Sequence, residues 1–203
     1  MDKIIHKVFI SYHHENDQDY KEELSRWGEE NKIFIDNSVE LGEIPEEWDT
    51  QRVREYIRDE HLKDSTVTIL LVGTETQNRK HIDWELYSSM YDGKKNKKSG
   101  ILIINLPSVN CKSHTLCSQE EKKAILPDVK DWITITERSE YERRYPYMPA
   151  RIIDNLLKTD VKISVINWGD INKENLTLLL DKAYNSRTTN NYDMSRPMMA
   201  RNR

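Results

Sequence analysis

"STVTILLVG", residues 65–73, is the stretch that indicates the fold class. Its centre is apolar on both faces of a strand, whereas a strand with one face in water alternates apolar and polar residues. Such a run is typical of a central strand in a parallel sheet that helices cover on both sides. A second run, "GILIINL" at 100–106, has the same character. These two segments predict an α/β protein with a buried, mainly parallel sheet.

Strand and helix patterns alternate upstream of this stretch. "KVFISY" (7–12) and "KIFID" (32–36) are short, β-branched segments that predict strands. The segment after the first strand is predicted to be a helix with Asn16 as its N-cap. A second helix with its apolar residues inward is predicted near 49–61. Four successive strand-helix units predict a parallel sheet with right-handed crossovers.

The segment "KHIDWELYSSM" (80–90) predicts the helix after the central strand. At about 100° per residue, Ile82, Leu86 and Met90 lie within roughly 80° of one another and form its buried face. Glu85 lies about 60° from Ile82, at the edge of that face. Acids are common in the first turns of helices because the helix dipole stabilises them. The position of this helix in the fold therefore decides whether Glu85 is a functional residue or only an acid at the start of a helix.

Two neighbours of Glu85 point away from it. Asp83 lies about 160° further round the helix, too far to form a tight carboxylate pair with Glu85. We expect Asp83 to be solvated or in an ion pair. Trp84 projects away from the core face, and a neighbouring helix or another subunit is expected to contact it.

The periodic pattern weakens after Leu106. Residues 107–130 are predicted to be a polar connection. The later segments are predicted as a weak strand, a short helix, a strand and a helix, at 132–136, 150–157, 161–167 and 173–184. Residues 1–186 are therefore expected to form one domain, and 187–203, which have no apolar period, a disordered C-terminal tail.

The composition limits the classes of partner. The 203 residues have a net charge of -4 and a pI near 5.9, which argues against nucleic acid as a partner. The longest apolar runs are far shorter than the roughly 20 residues that span a bilayer. The N-terminal segment lacks the apolar core of a signal peptide. We therefore expect a cytoplasmic protein with neither a nucleic-acid nor a membrane partner.

Several familiar nucleotide and metal sites lack their required residues. The turn "SYHHEND" after the first strand has no glycine, so neither a dinucleotide-binding turn nor a P-loop is present there. Gly73 and Thr74 stand where a phosphate-accepting receiver domain needs an aspartate. "CKSHTLC" (111–117) offers three zinc ligands, but a structural zinc site needs four. We expect no metal site and no bound cofactor.

The carboxyl ends of the predicted strands indicate where a ligand would bind. In an open parallel sheet, ligands lie in the crevice outside those ends, where neighbouring crossovers diverge. The candidate residues predicted at this edge are Ser11, Tyr12, His13, Asp36, Asn78, Arg79 and Glu85. Together they offer groups that can bind hydroxyls, amides and a phosphate.

Four segments together resemble a known family. "KVFISYHH", "IFID" with the loop after it, "DSTVTILLVGTETQNRKHIDWEL" and "SVINWGDINKENLTLLLDKA" are similar to bacterial TIR-like domains, specifically the TIR-like subunit of Thoeris antiphage defence. The resemblance covers most of residues 6–185. It implies a flavodoxin-like, three-layer fold and cleavage of the nicotinamide glycosidic bond of NAD, with Glu85 as the essential residue. It further implies that a cyclic, ADP-ribose-derived signalling nucleotide is released and activates a separate effector protein.

The chemistry of that reaction suits a carboxylate. Loss of nicotinamide leaves an oxocarbenium-like ribose, and a nearby carboxylate can stabilise its positive charge and bind its hydroxyls, as in glycosidases. Glu85 is therefore predicted to be the catalytic residue and NAD the substrate. The residues predicted to bind the substrate are Ser11, Tyr12, His13, Asp36, Asn78 and Arg79.

Two features differ from the family pattern. His81 stands where TIR domains often have an aromatic residue, and the loop "NSVELGEIPEEW" (37–48) is strongly acidic. An acidic loop is a poor electrostatic match for an anionic dinucleotide unless its acids point to solvent, or the loop moves or meets a partner before catalysis. Two alternatives therefore stay open. One is a non-catalytic TIR-like scaffold that assembles as a homo-oligomer or with a partner, and the other is a nucleobase-exchanging ribosyltransferase.

Overall fold

The computed structural model describes residues 5–38, 48–93 and 97–203. The strands in this part of the chain are β1 (His6–Ser11), β2 (Phe34–Asp36), β3 (Val67–Val72), β4 (Gly100–Asn105) and β5 (Ser164–Asn167). They form one sheet in the order β2-β1-β3-β4-β5, and every neighbouring pair is parallel. This order is that of the flavodoxin-like fold. The predicted fold class is therefore confirmed.

Helices cover both faces of the sheet. They are α1 (His14–Glu30), α2 (Thr50–Tyr56), α3 (Lys80–Met90), α4 (Gln119–Ile125), α5 (Arg138–Arg144), α6 (Ala150–Leu156) and α7 (Lys173–Ser186). Leu24 of α1, Ile125 of α4 and Leu179 of α7 belong to the core on one face. Leu86 of α3 and Ile152 of α6 belong to the core on the other. The sheet is thus the middle of three layers.

The position of β3 between two layers of helices explains why its sequence is apolar at nearly every position. Ile69 and Leu71 belong to the core shared with α1 and α7, whereas Leu70 and Val72 belong to the core shared with α3. Successive side chains of a strand point to opposite faces, so a strand covered on both sides must be apolar throughout. The prediction of a central, doubly buried strand is confirmed.

Gly100 allows α7 to pack directly on the start of β4. A Cβ atom at this position would lie 2.0 Å from the backbone oxygen of Ala183 in α7. That oxygen is part of the helix backbone and cannot move aside cheaply. The close approach of helix and strand therefore requires a glycine here.

The helices near the N-terminus start and end differently from the prediction. Helix α1 begins at His14, and its N-cap is His13, whose side chain accepts a hydrogen bond from the backbone N–H of Asn16. The prediction of Asn16 as the N-cap is therefore wrong, because a ring nitrogen takes the place of an amide or hydroxyl oxygen. The helix predicted near 49–61 is divided into α2 and a π-helical turn over Ile57–His61.

The region after β4 contains more regular structure than its sequence pattern predicts. Helix α4 lies within the predicted polar connection 107–130 and starts with a capping box formed by Ser118 and Glu121. Helix α5 was not predicted, and residues 132–136 form no strand. The later strand joins the sheet as β5. Both α4 and α5 are only seven residues long, too short for a clear apolar period.

The C-terminal segment differs most from its prediction. Residues 187–203, expected to be a disordered tail, run as a mostly irregular segment along α6 and α3. Tyr192 is 8% exposed, and its hydroxyl donates a hydrogen bond to the backbone oxygen of Ser99. The Asn155 side-chain oxygen accepts a hydrogen bond from the backbone N–H of Asp193. The prediction failed because polar contacts, which have no sequence period, hold this segment. We call residues 187–203 the docked tail.

Some predictions fall on residues outside the described part of the chain. The acidic loop (37–48) is one of them, since 39–47 are not described, among them Gly42 and Pro45. Among the residues that are described, every helix is too short or too polar to cross a bilayer.

Candidate functional site

A cavity of about 260 Å³ opens at the carboxyl end of β1, beside the first turns of α3. Strands β1 and β3 are neighbours in the sheet but not in the sequence, so the chain connections diverge between them. Such a switch point is where open α/β sheets bind ligands. The lining of this cavity includes Tyr12, His13, Arg79, His81, Glu85 and Asn202. We call it the Glu85 cavity.

Glu85 is the most buried acid of this cavity. It is only 4% exposed, and its Oε2 accepts a hydrogen bond of 2.6 Å from the hydroxyl of Ser11. Ser11 is the last residue of β1, and Glu85 lies in the second turn of α3. Burial raises the pKa of Glu85 to about 8, although the hydrogen bond from Ser11 acts in the opposite direction. With a pKa of about 8, the carboxyl group is mainly protonated at neutral pH.

His13 presents an unused hydrogen-bond donor. Its Nδ1 accepts the backbone N–H of Asn16 at 3.1 Å. Burial and then the charge of Arg79 lower the pKa of His13, so the ring is neutral at pH 7. A neutral ring whose Nδ1 accepts a hydrogen bond has its proton on Nε2. That Nε2 is buried and has no hydrogen-bond partner in the described part of the chain.

Arg79 immediately precedes α3 and offers a second unused donor. Its Nε is buried, and none of the described residues accepts a hydrogen bond from it. Its Nη2 lies 3.7 Å from Oε2 of Glu15, an ion-pair distance that is too long for a hydrogen bond. An unsatisfied guanidinium N–H is a group that an anionic ligand can satisfy.

Tyr12 forms part of the cavity wall. Its hydroxyl donates a hydrogen bond of 2.6 Å to Oε1 of Gln18, and its ring stacks on His14 with centroids 4.4 Å apart. The tyrosine is therefore held in place by its own protein contacts. An aromatic ring next to a cavity can pack against a flat ligand such as a nicotinamide or adenine ring.

Besides Ser11, which bonds to Glu85 without lining the cavity, two of the predicted site residues lie outside it. Asp36 pairs with Val8 in the sheet and contacts the Nζ of Lys21 at 2.9 Å. Burial alone would raise the pKa of Asp36, but hydrogen bonds from Ser25, Ser38 and Lys21 outweigh it and lower the pKa. The structure thus gives Asp36 a role in holding α1 on the sheet.

Asn78 is the second predicted residue outside the Glu85 cavity. Its side-chain amide donates to Oε2 of Glu75 at 3.2 Å, and its backbone oxygen accepts the N–H of Arg203. The structure therefore brings Tyr12, His13 and Arg79 together around Glu85, with Ser11 bonded to it, and leaves Asn78 beside the docked tail.

The cavity lining also contains residues that were not among the predicted site residues, and His81 and Asn202 are two of them. His81 precedes Glu85 by one helical turn, and this spacing places both on one side of α3. Burial, followed by the charge of Lys80, lowers the pKa of His81. Asn202 comes from the docked tail, and its side-chain oxygen accepts the backbone N–H of Lys80 at 2.9 Å. The spacing could have identified His81, but no local signal indicates Asn202.

The neighbours of Glu85 on α3 face other parts of the fold. Asp83 is 5% exposed and forms a bidentate ion pair with Arg151, at 2.8 and 3.1 Å. The ion-pair alternative predicted for Asp83 is therefore the correct one. Trp84 donates its indole N–H to the backbone oxygen of Met199. Trp84 also packs against the apolar cluster that includes Val53 of α2, so the side chain expected to contact a neighbouring helix or subunit packs near a helix and contacts the docked tail as well.

Among the described residues, no group of three or more His, Cys, Asp or Glu side chains is arranged to hold a metal ion. Cys111 and Cys117 are both free thiols.

Comparison with known proteins identifies the family of the region that contains this site. The family model described as "Thoeris protein ThsB, TIR-like domain" matches residues 9–111. This range runs from β1 past β4 and includes Glu85 and Arg79. No curated protein and no solved structure matches the chain.

Proposed function

This chain belongs to the family of the TIR-like domain of the Thoeris protein ThsB, and we propose that it cleaves the bond between nicotinamide and ribose in NAD. The family makes it a TIR-like antiphage defence protein. The observation that supports the proposed activity is the buried carboxyl group of Glu85 in a cavity at the switch point of the sheet. NAD would bind with its nicotinamide ribose next to Glu85.

Substrate binding supplies the reason why Glu85 would ionise. The nicotinamide ring of NAD is positively charged, and the ribose becomes positive as the ring leaves. A positive charge within about 4–6 Å favours the ionised form of a carboxyl group. The hydroxyl of Ser11 donates to Glu85 and stabilises the same form. The proton lost from Glu85 leaves when NAD enters, and the carboxylate then faces the developing oxocarbenium ion.

Arg79 and His13 are the proposed substrate-binding groups. The unused Nε–H of Arg79 suits a phosphate oxygen, and the unused Nε2–H of His13 suits a ribose hydroxyl or the nicotinamide carbonyl oxygen. Tyr12 would pack against the ring. Nicotinamide leaves with the electron pair of the broken glycosidic bond. A nucleophile with a hydrogen, either water or a group of the same molecule, then adds to the ribose carbon and releases a proton.

The choice of nucleophile decides the product. Water gives ADP-ribose, whereas a group of the bound ADP-ribose itself gives a cyclic nucleotide. We propose the cyclic product as a diffusible signal that activates a separate effector protein. The resemblance to the TIR-like subunit of Thoeris defence supports this choice.

The test of the activity is a comparison of the unmodified protein with Glu85→Gln and Glu22→Gln. Glu22 is an exposed glutamate of α1, so it provides the same chemical change outside the cavity. The proteins are incubated with NAD, NADP and free nucleosides, and products are separated by chromatography. Nicotinamide should appear with the unmodified protein and Glu22→Gln but not with Glu85→Gln. Turnover by a folded Glu85→Gln variant would favour another catalytic group, and cleavage of nucleosides alone would favour a ribosyltransferase.

The signalling part of the proposal needs a separate test. Cells that express this chain are challenged with phage, and their lysate is filtered to remove protein. The filtrate should activate a candidate effector, and the filtrate of cells with Glu85→Gln should not. If the filtrate contains only nicotinamide and ordinary ADP-ribose, the protein is an NAD-depleting hydrolase. If neither NAD cleavage nor an active filtrate is found, the non-catalytic scaffold is the better description.

A further inference from the structure

A second cavity, of about 270 Å³, lies next to the Glu85 cavity. It is bounded by the start of α6 and by the docked tail, and its lining includes Arg79, Pro149, Arg151, Arg196, Met199 and Arg203. We call it the tail cavity. Arg79 lines both cavities, and the neighbouring tail residues Asn202 and Arg203 line one cavity each. The two cavities therefore meet at Arg79.

The docked tail is fixed at this meeting point by the backbone on either side of Arg79. The N–H of Arg203 donates to the backbone oxygen of Asn78 at 3.0 Å, and the N–H of Lys80 donates to the side chain of Asn202 at 2.9 Å. These two contacts hold Arg203 close to Arg79. Arg79 and Arg203 are thus both part of the lining of the tail cavity.

The lining of the tail cavity contains four arginines and one acidic side chain. Arg151 is neutralised by Asp83, and Arg196 contacts Asp154. Arg79 lies at ion-pair distance from Glu15 but keeps a buried Nε–H that no described residue accepts. Arg203 is exposed, and Asp83 is the single acid in the lining. The cavity therefore favours an anion, and arginine binds phosphate oxygens with directed hydrogen bonds.

The remaining walls are apolar. Pro149, Pro197 and Met199 supply side chains without hydrogen-bonding groups other than a thioether sulfur. Such surfaces suit a flat heteroaromatic ring, and methionine sulfur packs well against aromatic rings. The cavity thus combines arginines for phosphate with apolar walls for a base. This combination matches a nucleotide better than a simple inorganic anion.

We propose that the tail cavity binds the nucleoside-diphosphate half of a dinucleotide, with Arg79 and Arg203 on the diphosphate and the base between the apolar walls. Arg79, which lines both cavities, is the residue that a shared ligand would contact from either side. The identification of the other half as nicotinamide ribose rests on the proposed function. The docked tail is then part of the substrate site.

The test uses two half-ligands and two matched variants of the full chain. Binding of ADP and of nicotinamide riboside is measured by titration calorimetry. Arg203→Glu reverses a charge in the tail cavity. Arg201→Glu makes the same change at an exposed tail residue outside the cavity lining. Ala200→Trp, which fills the tail cavity with a bulky side chain, is a second probe.

We expect Arg203→Glu to weaken ADP binding about tenfold or more, because a charge-assisted hydrogen bond is lost and a repulsion is added. Ala200→Trp should weaken it as well, and Arg201→Glu should not. Binding of nicotinamide riboside, which together with ADP makes up NAD without sharing a phosphate, should be unchanged in all three variants. The inference is overturned if ADP does not bind, if Arg203→Glu and Arg201→Glu behave alike, or if ADP and nicotinamide riboside compete for one site.

A kinetic measurement separates this inference from the proposed function. With Arg203→Glu, the KM for NAD should rise about tenfold while cleavage of nicotinamide riboside stays unchanged. If the KM for NAD is unchanged in Arg203→Glu, the tail cavity is not a subsite, although the proposed NAD cleavage is still supported. ADP binding that depends on Arg203, in a protein without NAD cleavage, would support the subsite and reject the activity.

Discussion

The hydroxyl of Ser11 donates a hydrogen bond of 2.6 Å to Oε2 of Glu85, two residues 74 positions apart in the sequence. This contact joins the end of β1 to the second turn of α3. It opposes the effect of burial on the carboxyl group, because a donated hydrogen bond stabilises the ionised form. The protonation of Glu85 is therefore set by two elements that meet only in the folded chain.

The pH dependence of kcat/KM for NAD cleavage should reflect the pKa of Glu85 in the free protein. Burial raises its pKa to about 8, and the proposed mechanism needs the ionised carboxylate. Since kcat/KM follows ionisations of the free enzyme, it should rise with pH up to about 8 and then level off. The measurement is initial rate at low NAD concentration across a pH series. A flat profile from pH 5 to pH 9 would contradict the assignment of Glu85.

Ser11→Ala should raise the pKa of Glu85 further, because it removes the hydrogen bond that favours the carboxylate. A lost hydrogen bond to a charged group costs about 1.5 kcal/mol or more, so kcat/KM at pH 7 should fall about tenfold. The pH profile should shift to higher pH. Ser25→Ala is the control, since Ser25 donates to Asp36 and does not line the Glu85 cavity. Equal profiles for both variants would exclude a role for Ser11 in tuning Glu85.

Glu85→Gln should be more stable than the unmodified protein at high pH. The folded pKa of about 8 exceeds the reference value of 4.5, so the folded state keeps a proton that the unfolded state releases. Stability therefore falls as the pH rises from 4.5 to about 8, and glutamine removes this loss. At pH 8 the gain should be on the order of 2–4 kcal/mol. Melting temperatures of both proteins from pH 4 to pH 9 test this, and a constant difference would show that Glu85 is not the buried acid.

The buried ion pair of Arg151 and Asp83 should be necessary for the fold. Arg151 is fully buried, and it also donates to the backbone oxygens of Arg196 and Pro197 in the docked tail. Arg151→Leu leaves a buried carboxylate without its partner, so the free energy of unfolding should fall by about 3–5 kcal/mol.

Urea denaturation provides the measurement for this pair. Arg143→Leu is the control, because Arg143 pairs with Glu140 on the surface, where an ion pair contributes little. The double variant with Asp83→Asn should be more stable than Arg151→Leu alone, since it removes the unpaired charge. Similar losses for Arg151→Leu and Arg143→Leu would show that the Asp83 ion pair is not important for stability.

Substitutions of Tyr192 should show that the docked tail contributes to stability. Tyr192→Phe removes the hydroxyl that bonds Ser99 and Asn190, at a cost of about 1 kcal/mol. Tyr192→Ala also removes a buried ring and should cost about 3–5 kcal/mol. Thermal unfolding is compared with Arg201→Ala, at an exposed tail residue. An unchanged melting temperature for Tyr192→Ala would indicate that residues 187–203 are not docked on the domain.

The sheet and the position of Glu85 were predictable because apolar patterning reports burial. A strand covered on both faces must be apolar throughout, so 65–73 and 100–106 identified β3 and β4 directly. The period of α3 placed Glu85 at the edge of its buried face. The rule that ligands bind beyond the strand ends then placed it near Tyr12 and His13, where the Glu85 cavity lies.

The amino-acid sequence by itself determined the parallel α/β sheet, the order of its main elements and the acid at its switch point, because these follow from local apolar periods. Only the tertiary structure decided that Asp36 contacts Lys21 instead of the cavity, and that the docked tail brings Asn202 and Arg203 to Arg79. The physical reason is the kind of contact involved. Polar hydrogen bonds between distant residues depend on exact positions in space, and no residue period or composition encodes them.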